Sequence, residues 1–195
     1  MPRRRRCCAA PNPSCSREAP LPNPPLPTSR RLVNRRALIA MDAAEVASFL
    51  REQRTVACAT NGPDRWPHVM PLWYVVREDA SGPQVWAWTY AASQKTRNLQ
   101  RDPRATLQIE AGESYELLRG VMLKCETVIH RDLETVSRLG LEILTRNSGP
   151  IGAPPVEPTE QLEAVVAAQA RKRVGLQFVP RRVASFDHRK LGGVY

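Results

Sequence analysis

A short stretch in the middle of the chain has the residue types of an anion-binding turn. Residues 86–99 predict a strand that turns sharply into a helix, with Ser93 at the cap position and Lys95, Thr96 and Arg97 in the first helical turn. The first backbone N–H groups of a helix have no partners inside it, and the helix dipole is positive there. A hydroxyl, an ammonium and a guanidinium at that point favour a seat for phosphate. On residue types alone, the alternative is a capped surface helix with a solvated lysine.

The strand that leads into this turn, residues 84–90, has two different faces. Two tryptophans and a tyrosine alternate with valine, alanine and Thr89. Three large rings on one face normally form a packed core. We therefore expect the small-residue face to be the one on which a flat ligand can lie close to the backbone.

Residue periodicity predicts six strands and four helices around this turn. The strands are 55–60, 66–77, 84–90, 105–110, 117–129 and 173–185, and the helices are 42–53, 93–101, 132–146 and 159–171. Asp42 with Glu45 predicts a capping box, Gly120 predicts a β-bulge, and Pro180 is expected to break the last strand. Hairpins and short helices between six strands indicate an antiparallel barrel with helices at its ends. No Gly-x-Gly-x-x-Gly follows a strand, which disfavours a Rossmann site.

Two prolines divide the second predicted strand. Pro67 and Pro71 cannot donate ladder hydrogen bonds, so part of this strand is expected at an edge or in a bulge. Breaks of this kind let a ligand approach the backbone.

The basic charge of the chain is concentrated at its N-terminus. The formal net charge is +10, but residues 1–40 hold nine arginines and one acid, together with eight of the 18 prolines. We expect this segment to be a disordered extension, because it cannot bury enough apolar surface to order itself. The folded domain is expected at residues 41–195, and a translation start at Met41 is an alternative explanation of the extension. The nearly neutral remainder gives no electrostatic case for nucleic-acid binding.

The cysteines and histidines limit the other classes of site. Five cysteines without regular spacing and three histidines apart from any Cys pair predict neither a disulfide framework nor a zinc site. No apolar run approaches the length of about 20 residues that a membrane span needs. We therefore expect a cytoplasmic protein with no metal and no membrane association.

Four sequence pieces resemble the pyridoxamine 5′-phosphate oxidase-like split β-barrel proteins. They are residues 62–68 (GPDRWPH), 93–99 (SQKTRNL), 101–104 (RDPR) and 185–191 (SFDHRKL). The last piece, with residues 118–121 (LRGV), is most similar to the actinobacterial branch that uses the deazaflavin coenzyme F420. The resemblance implies a mainly β, six-stranded antiparallel split barrel of the FMN-binding type, in a homodimer with two cofactor sites at the subunit interface.

The resemblance also implies roles for particular residues. It places the cofactor phosphate on Ser93, Lys95 and Thr96, with Arg97 and Asn98 beside them. The cofactor ring is expected against Thr89 and the backbone of Met70, Pro71 and Leu72. On the substrate or partner side, the implied residues are His68, Trp73, His188 and Arg189. For His68 a strand-end position, for Trp73 core packing and for His188 a charged terminus that stabilises the dimer are the alternatives.

The resemblance predicts an F420-dependent oxidoreductase that transfers a hydride to an electron-poor small molecule. FMN in place of F420 is the first alternative. The C-terminal segment does not match the Arg-x-His-x-Arg pattern of the oxidases proper, which argues against pyridoxamine phosphate oxidation. A haem-handling barrel, a non-catalytic cofactor-binding protein and a nucleic-acid binder acting through the arginine tail are the other hypotheses.

Overall fold

The computed structural model describes residues 35–80, 82–150 and 154–192. Their six strands form one closed antiparallel barrel in the order β1-β2-β3-β6-β5-β4, which confirms the predicted fold. The strands are β1 (Thr55–Asn61), β2 (Pro67–Asp79), β3 (Gly82–Tyr90), β4 (Arg104–Ala111), β5 (Arg119–His130) and β6 (Arg173–Asp187). The helices are α1 (Arg35–Ile39), α2 (Ala43–Glu52), α3 (Gln94–Arg101), α4 (Leu133–Asn147) and α5 (Glu160–Ala170), with 3-10 turns at Tyr115–Leu117 and His188–Leu191.

The second strand changes its neighbour halfway along. From Pro67 to Trp73 it pairs with β1, and from Tyr74 to Asp79 it pairs with β3. The first half therefore has β1 on one side and no described strand on the other. Both prolines of this strand lie in that half, where a missing N–H costs no ladder bond on the open side. The predicted edge is confirmed.

The barrel interior and α2 form one hydrophobic core. Alternate residues of β1 are buried inside the barrel, and α2 adds Val46, Phe49 and Leu50 to the same cluster. The predicted capping box holds the start of α2: Asp42 Oδ1 accepts from Glu45 N at 2.8 Å, and Glu45 Oε2 accepts from Asp42 N at 2.7 Å. This helix closes the end of the barrel at which β1 begins.

A second core lies between the barrel wall and the helices α4 and α5. Trp88 of β3 and Val75 of β2 pack there with apolar residues of both helices. Gly140 of α4 makes this contact possible, because a Cβ at that position would lie 2.4 Å from the Trp88 ring. One of the three rings of β3 is thus fully in a core, whereas Tyr90 is exposed and Trp86 is half-buried between Arg77 and His130.

The structure overturns the expectation for the small-residue face of β3. Val85 and Ala87 are completely buried within the barrel cluster. The face therefore packs against other strands inside the closed barrel, and a flat ligand has no access to it. Only Thr89, at the end of the strand, lies beside residues of the predicted phosphate seat.

The predicted irregularities of β5 and β6 are also corrected. Gly120 pairs in register with Glu110 and Phe186, so it is not a bulge. A Cβ there would lie 2.7 Å from the Phe186 ring, which explains the glycine by close packing. The bulge lies instead in β6, where the register shifts between Lys124↔Arg182 and Cys125↔Pro180. This bulge absorbs the proline, so that β6 continues from Arg173 to Asp187 without a break.

The described fold begins before the expected boundary at residue 41. Helix α1 falls within the segment that the sequence assigns to a disordered extension, and it contacts β6 and the turn His188–Leu191. Two side chains form hydrogen bonds with the backbone just after this helix: Ser185 Oγ accepts from Met41 N at 3.0 Å, and Lys190 Nζ donates to Ala40 O at 2.7 Å. Residues 1–34 lie outside the described part. None of the described helices is long and apolar enough to cross a membrane.

Candidate functional site

The turn between β3 and α3 is held by hydroxyl groups. Ser93 caps the helix as predicted, since its Oγ accepts from Thr96 N at 3.4 Å and lies 3.0 Å from Thr96 Oγ1. The Thr96 hydroxyl donates in turn to the Tyr90 carbonyl at 3.0 Å. These bonds fix the first turn of α3 against the end of β3. The sequence predicts this geometry because all of its contacts are local.

Lys95 is a buried cation at the same turn. Only 8 % of the residue is exposed to solvent, and Nζ donates to Thr89 Oγ1 at 3.3 Å. None of the ion pairs found among residues 35–80, 82–150 and 154–192 includes Lys95. Burial lowers the pKa of Lys95, because the charged form loses hydration. A solvated surface lysine is thereby excluded.

Among the described residues, the neighbourhood of Lys95 contains a thiol but no compensating anion. Cys58 interacts electrostatically with Lys95, and burial raises the pKa of this thiol to about 12, so it is neutral near pH 7. An ammonium taken out of water without an anion is unfavourable unless a ligand supplies the charge. The combination of Lys95, the hydroxyls of Ser93 and Thr96 and the start of α3 therefore fits a phosphate group. We call these three residues with Thr89 the phosphate cradle.

Asn98 lies one turn further along α3 and belongs to a buried network. Its Nδ2 donates to Thr60 Oγ1 at 3.0 Å, and its Oδ1 accepts from Gln94 Nε2 at 2.9 Å. Thr60 Oγ1 donates to the His68 carbonyl at 3.4 Å. Asn98 is completely buried. It therefore joins α3 to β1 and β2 and positions the helix, and its contact with phosphate stays a prediction.

Sequence reasoning missed Thr60 as part of this network. It is the last inward-facing residue of β1, and its partner lies 38 positions away. The available signal was its place on the buried face of the predicted strand. Nothing local identified Asn98 as its partner.

Three of the predicted ring-binding residues, Met70, Pro71 and Leu72, lie along the open half of β2, as do His68 and Trp73 from the predicted substrate side. Leu72 is buried in the barrel core, whereas Met70 and Trp73 are about half exposed. His68 is half-buried, and Pro71 is exposed. Core packing of Trp73 is thereby excluded within the protomer. Met70 pairs with Cys58 of β1, which interacts electrostatically with Lys95, so β1 lies between this edge and the cradle.

His188 and Arg189 lie at the opposite end of the barrel from Lys95. Helix α3 leads into the start of β4, whereas His188 N donates to Leu118 O, close to where β4 ends and β5 begins. The eight residues of β4 span about 24 Å. Arg189 is held by Asp187, with Nη2 2.6 Å from Oδ2. Within one protomer the structure therefore does not bring these two residues to the cradle.

A basic cavity opens at the same barrel end as α3. Its volume is about 700 Å³, and its lining includes Thr60, Asn61, Arg104, Lys124 and Arg181. Arg104 and Asn61 both donate to Asp102, which lowers the pKa of that carboxyl below its usual range.

The described residues contain no cluster of three or more His, Cys, Asp or Glu that would hold a metal ion.

Comparison with known proteins decides the family. The family model for pyridoxamine 5′-phosphate oxidase matches residues 43–181. The chain belongs to the pyridoxamine 5′-phosphate oxidase family. This match runs from α2 into β6 and thus includes the cradle. The family includes flavin-binding proteins and oxidoreductases, so the chain is a member of a redox-cofactor superfamily. A search of curated proteins found no match to this chain.

Solved structures share the barrel fold of this chain. A conserved hypothetical protein from Mycobacterium tuberculosis is 38% identical, with a TM-score of 0.71, and the match covers 82% of this chain and 92% of that one. An F420 reductase is 21% identical, with a TM-score of 0.50, and the match covers 70% and 93%. A FAD-binding protein from Mesorhizobium loti is 16% identical, with a TM-score of 0.52, and the match covers 75% and 93%. The last two comparisons concern the fold alone.

Proposed function

We propose that this chain is an oxidoreductase that anchors the phosphate of coenzyme F420 in the cradle at the start of α3. The observation that carries the proposal is the buried Lys95, which no described carboxylate neutralises. FMN is the alternative cofactor, because its phosphate has the same requirements. Support for F420 comes from the resemblance of residues 118–121 and 185–191 to the F420-using branch and from the F420 reductase among the structures with this fold.

The residues of the cradle would bind and orient the cofactor. Lys95 supplies the positive charge, while Ser93 and Thr96 supply hydroxyls that the Tyr90 carbonyl and the helix cap hold in place. The Asn98–Thr60 hydrogen bond keeps α3 fixed against β1, so that the phosphate position is set before binding. When bound, the deazaflavin supplies hydride transfer, and the protein supplies position and electrostatics.

A homodimer is part of this proposal. Four apolar side chains at the open half of β2 are between 44% and 75% exposed: Trp66, Val69, Met70 and Trp73. We call them the β2 edge patch. A cluster of exposed large apolar residues on one edge is typical of an interaction surface. We propose that a second copy of the chain covers this patch and completes the cofactor site, which would allow His188 and Arg189 to reach the cofactor bound in the other protomer.

The dimer is tested by sedimentation velocity. Val69→Glu is expected to shift the chain to monomer and to weaken cofactor binding, because a carboxylate would be buried in the interface. Val165→Glu, on an exposed position of α5, is the matched control. A Val69→Glu protein that stays dimeric, or a wild-type protein that is monomeric at micromolar concentration, would contradict this part of the proposal.

The cofactor and the reaction are tested by titration and turnover. Absorbance and fluorescence titrations with F420 and with FMN should show tighter binding of F420. Reduced F420 should then be oxidised in the presence of at least one acceptor among nitro compounds, quinones and enones. Tight binding of FMN without binding of F420 would replace the proposed cofactor, and binding of F420 without turnover across the panel would favour a non-catalytic cofactor-binding protein.

A further inference from the structure

A guanidinium lies between two aromatic rings next to the phosphate cradle. The Arg173 Cζ, at the start of β6, lies 4.3 Å from the centroid of the Trp88 ring and 4.2 Å from the centroid of the Tyr90 ring. Its Nη2 donates to Gln169 Oε1 of α5 at 2.9 Å. The attraction of a cation to an aromatic face is strongest where water is excluded. We call Arg173 with its two rings the arginine stack.

Arg173 has no charge partner in the part of the chain that the structure describes. None of the ion pairs found there includes it. Its buried Nε also has no hydrogen-bond partner among the described residues. A buried N–H without an acceptor is unfavourable, so packing alone would favour an apolar side chain at this position. The arginine is therefore better explained by what the stack holds in place.

The cradle turn depends on the backbone of one member of the stack. The Tyr90 carbonyl accepts two hydrogen bonds, from Ser93 N at 3.0 Å and from Thr96 Oγ1 at 3.0 Å. Ser93 and Thr96 supply the hydroxyl groups that the cradle offers at the start of α3. The positions of these hydroxyls therefore follow the position of the Tyr90 carbonyl.

The sheet ends at the same residue. Tyr90 and Arg173 form the last pair of the ladder between β3 and β6, and a backbone bond from Ala91 N to Lys172 O at 2.9 Å follows it. The Tyr90 ring is about half exposed and has the Arg173 guanidinium over its face. At the end of a ladder the backbone frays more easily than within the sheet. Side-chain contacts such as the stack therefore contribute more to fixing Tyr90 here.

The two cations near the turn lie on opposite faces of β3. Thr89, which accepts from Lys95 Nζ, is buried and faces the barrel interior. Tyr90 is the next residue of the strand, so its ring points to the other face, where Arg173 lies. Arg173 therefore acts through Tyr90, whereas Lys95 belongs to the cradle itself.

We propose that Arg173 is a positioning residue of the phosphate cradle. By holding the Tyr90 ring, it fixes the carbonyl that orients the Ser93 and Thr96 hydroxyls. The effect on phosphate rests on the proposed function, whereas the effect on the turn does not depend on any ligand. Through Gln169, the stack also connects α5 to the cradle.

Amide hydrogen exchange of the full chain without ligand tests the effect on the turn. Arg173→Met removes the guanidinium but keeps an unbranched side chain. The amides of Ser93 and Thr96 should then exchange about fivefold faster or more, the size expected for loss of a shielded cation–π contact. The amide of Val56, in the core strand β1, is the internal reference and should keep its rate. Arg171→Met, at an exposed position, is the matched control and should behave as wild type.

A double-mutant cycle tests whether Arg173 acts through Tyr90. Tyr90→Leu should also accelerate exchange of the cradle amides, and it changes a half-exposed position that the core does not need. Tyr90→Leu combined with Arg173→Met should exchange no faster than the faster single variant, because both changes remove the same contact. Additive effects of the two substitutions, or unchanged exchange in Arg173→Met, would overturn the proposal.

Ligand pairs that differ only in the phosphate-bearing part distinguish positioning of the cradle from a general structural role. Fluorescence titrations compare F420 with its phosphate-free deazaflavin fragment, and FMN with riboflavin. Arg173→Met should weaken binding of the phosphorylated member about fivefold or more and leave binding of the phosphate-free member unchanged. Equal weakening of both members would overturn the proposal. If the wild type binds neither F420 nor FMN, the proposed function fails, while the exchange rates still decide whether Arg173 positions the turn.

Discussion

Replacing Lys95 with methionine should stabilise the protein without cofactor and weaken cofactor binding. Methionine has nearly the same length but no charge, so the variant removes the unfavourable burial of an ammonium that no described carboxylate neutralises. Replacement of buried charges by apolar side chains of similar volume often stabilises a protein, by about 1 kcal/mol or more. For a domain of this size, that gain corresponds to a rise in melting temperature of about 2–4 °C.

The same change removes a charge-assisted contact with the phosphate. Such a contact contributes about 1.5–3 kcal/mol, which corresponds to a rise in Kd of about tenfold to 150-fold. If the substitution raises stability and weakens binding, then Lys95 destabilises the free protein and its charge serves to bind the ligand. If Lys95 had only a structural role, its replacement would lower both the stability and the cofactor affinity, or neither.

Differential scanning calorimetry and fluorescence titration with F420 and FMN measure the two quantities. Lys172→Met, at an exposed position after α5, is the matched control and should change neither. An unchanged Kd for both cofactors in Lys95→Met would remove this residue from the site. A lower melting temperature would show that Lys95 has a stabilising partner and would refute the reasoning from its burial.

Three other substitutions test the fold around the site. Gly140→Ala should destabilise by about 1–3 kcal/mol, because the new methyl group would collide with the Trp88 ring; urea unfolding measures this, and a stabilised variant would contradict it. Thr127→Val should leave stability unchanged or raise it by up to about 1 kcal/mol, since the buried Thr127 hydroxyl has no hydrogen-bond partner among the described residues; a clear loss in the same assay would reveal one. Asp187→Asn should cost about 1–3 kcal/mol at pH 7. Hydrogen bonds from Arg189 lower the pKa of Asp187, so the carboxylate's contribution is complete above its unfolded pKa of about 3.9 and disappears as the pH falls through the folded value. The difference between wild type and Asp187→Asn should therefore shrink in acid, and a difference independent of pH would count against the ion pair.

Local signals were sufficient for the elements and for the turn at the site. Ser93 caps α3 and Asp42 caps α2, because each side chain bonds to the backbone three residues later. The prolines of β2 identified the open edge, since a missing donor constrains any sheet in the same way. These features need no knowledge of distant residues.

Features that depend on contacts between distant residues could not be predicted from the sequence. Alternation along β3 predicted two faces but not which one would lie inside a closed barrel, so the small face was wrongly assigned to a ligand. Gly120 suggested a bulge because close packing against Phe186, 66 positions away, leaves no local trace. The burial of Lys95 and the bond between Asn98 and Thr60 likewise arise only when the barrel closes.

The hydrogen bonds that hold residues 40 and 41 to the end of β6 and to the turn after it have a consequence for the two possible translation starts. Ser185 accepts from the nitrogen of Met41, and an initiator amino group at this position would donate equally well. A chain that began at Met41 would keep all six strands and the cradle but would lack Arg36 and Ile39. The choice of start codon would then determine whether α1 covers the end of β6 and the turn His188–Leu191, while the residues of the cradle stay the same.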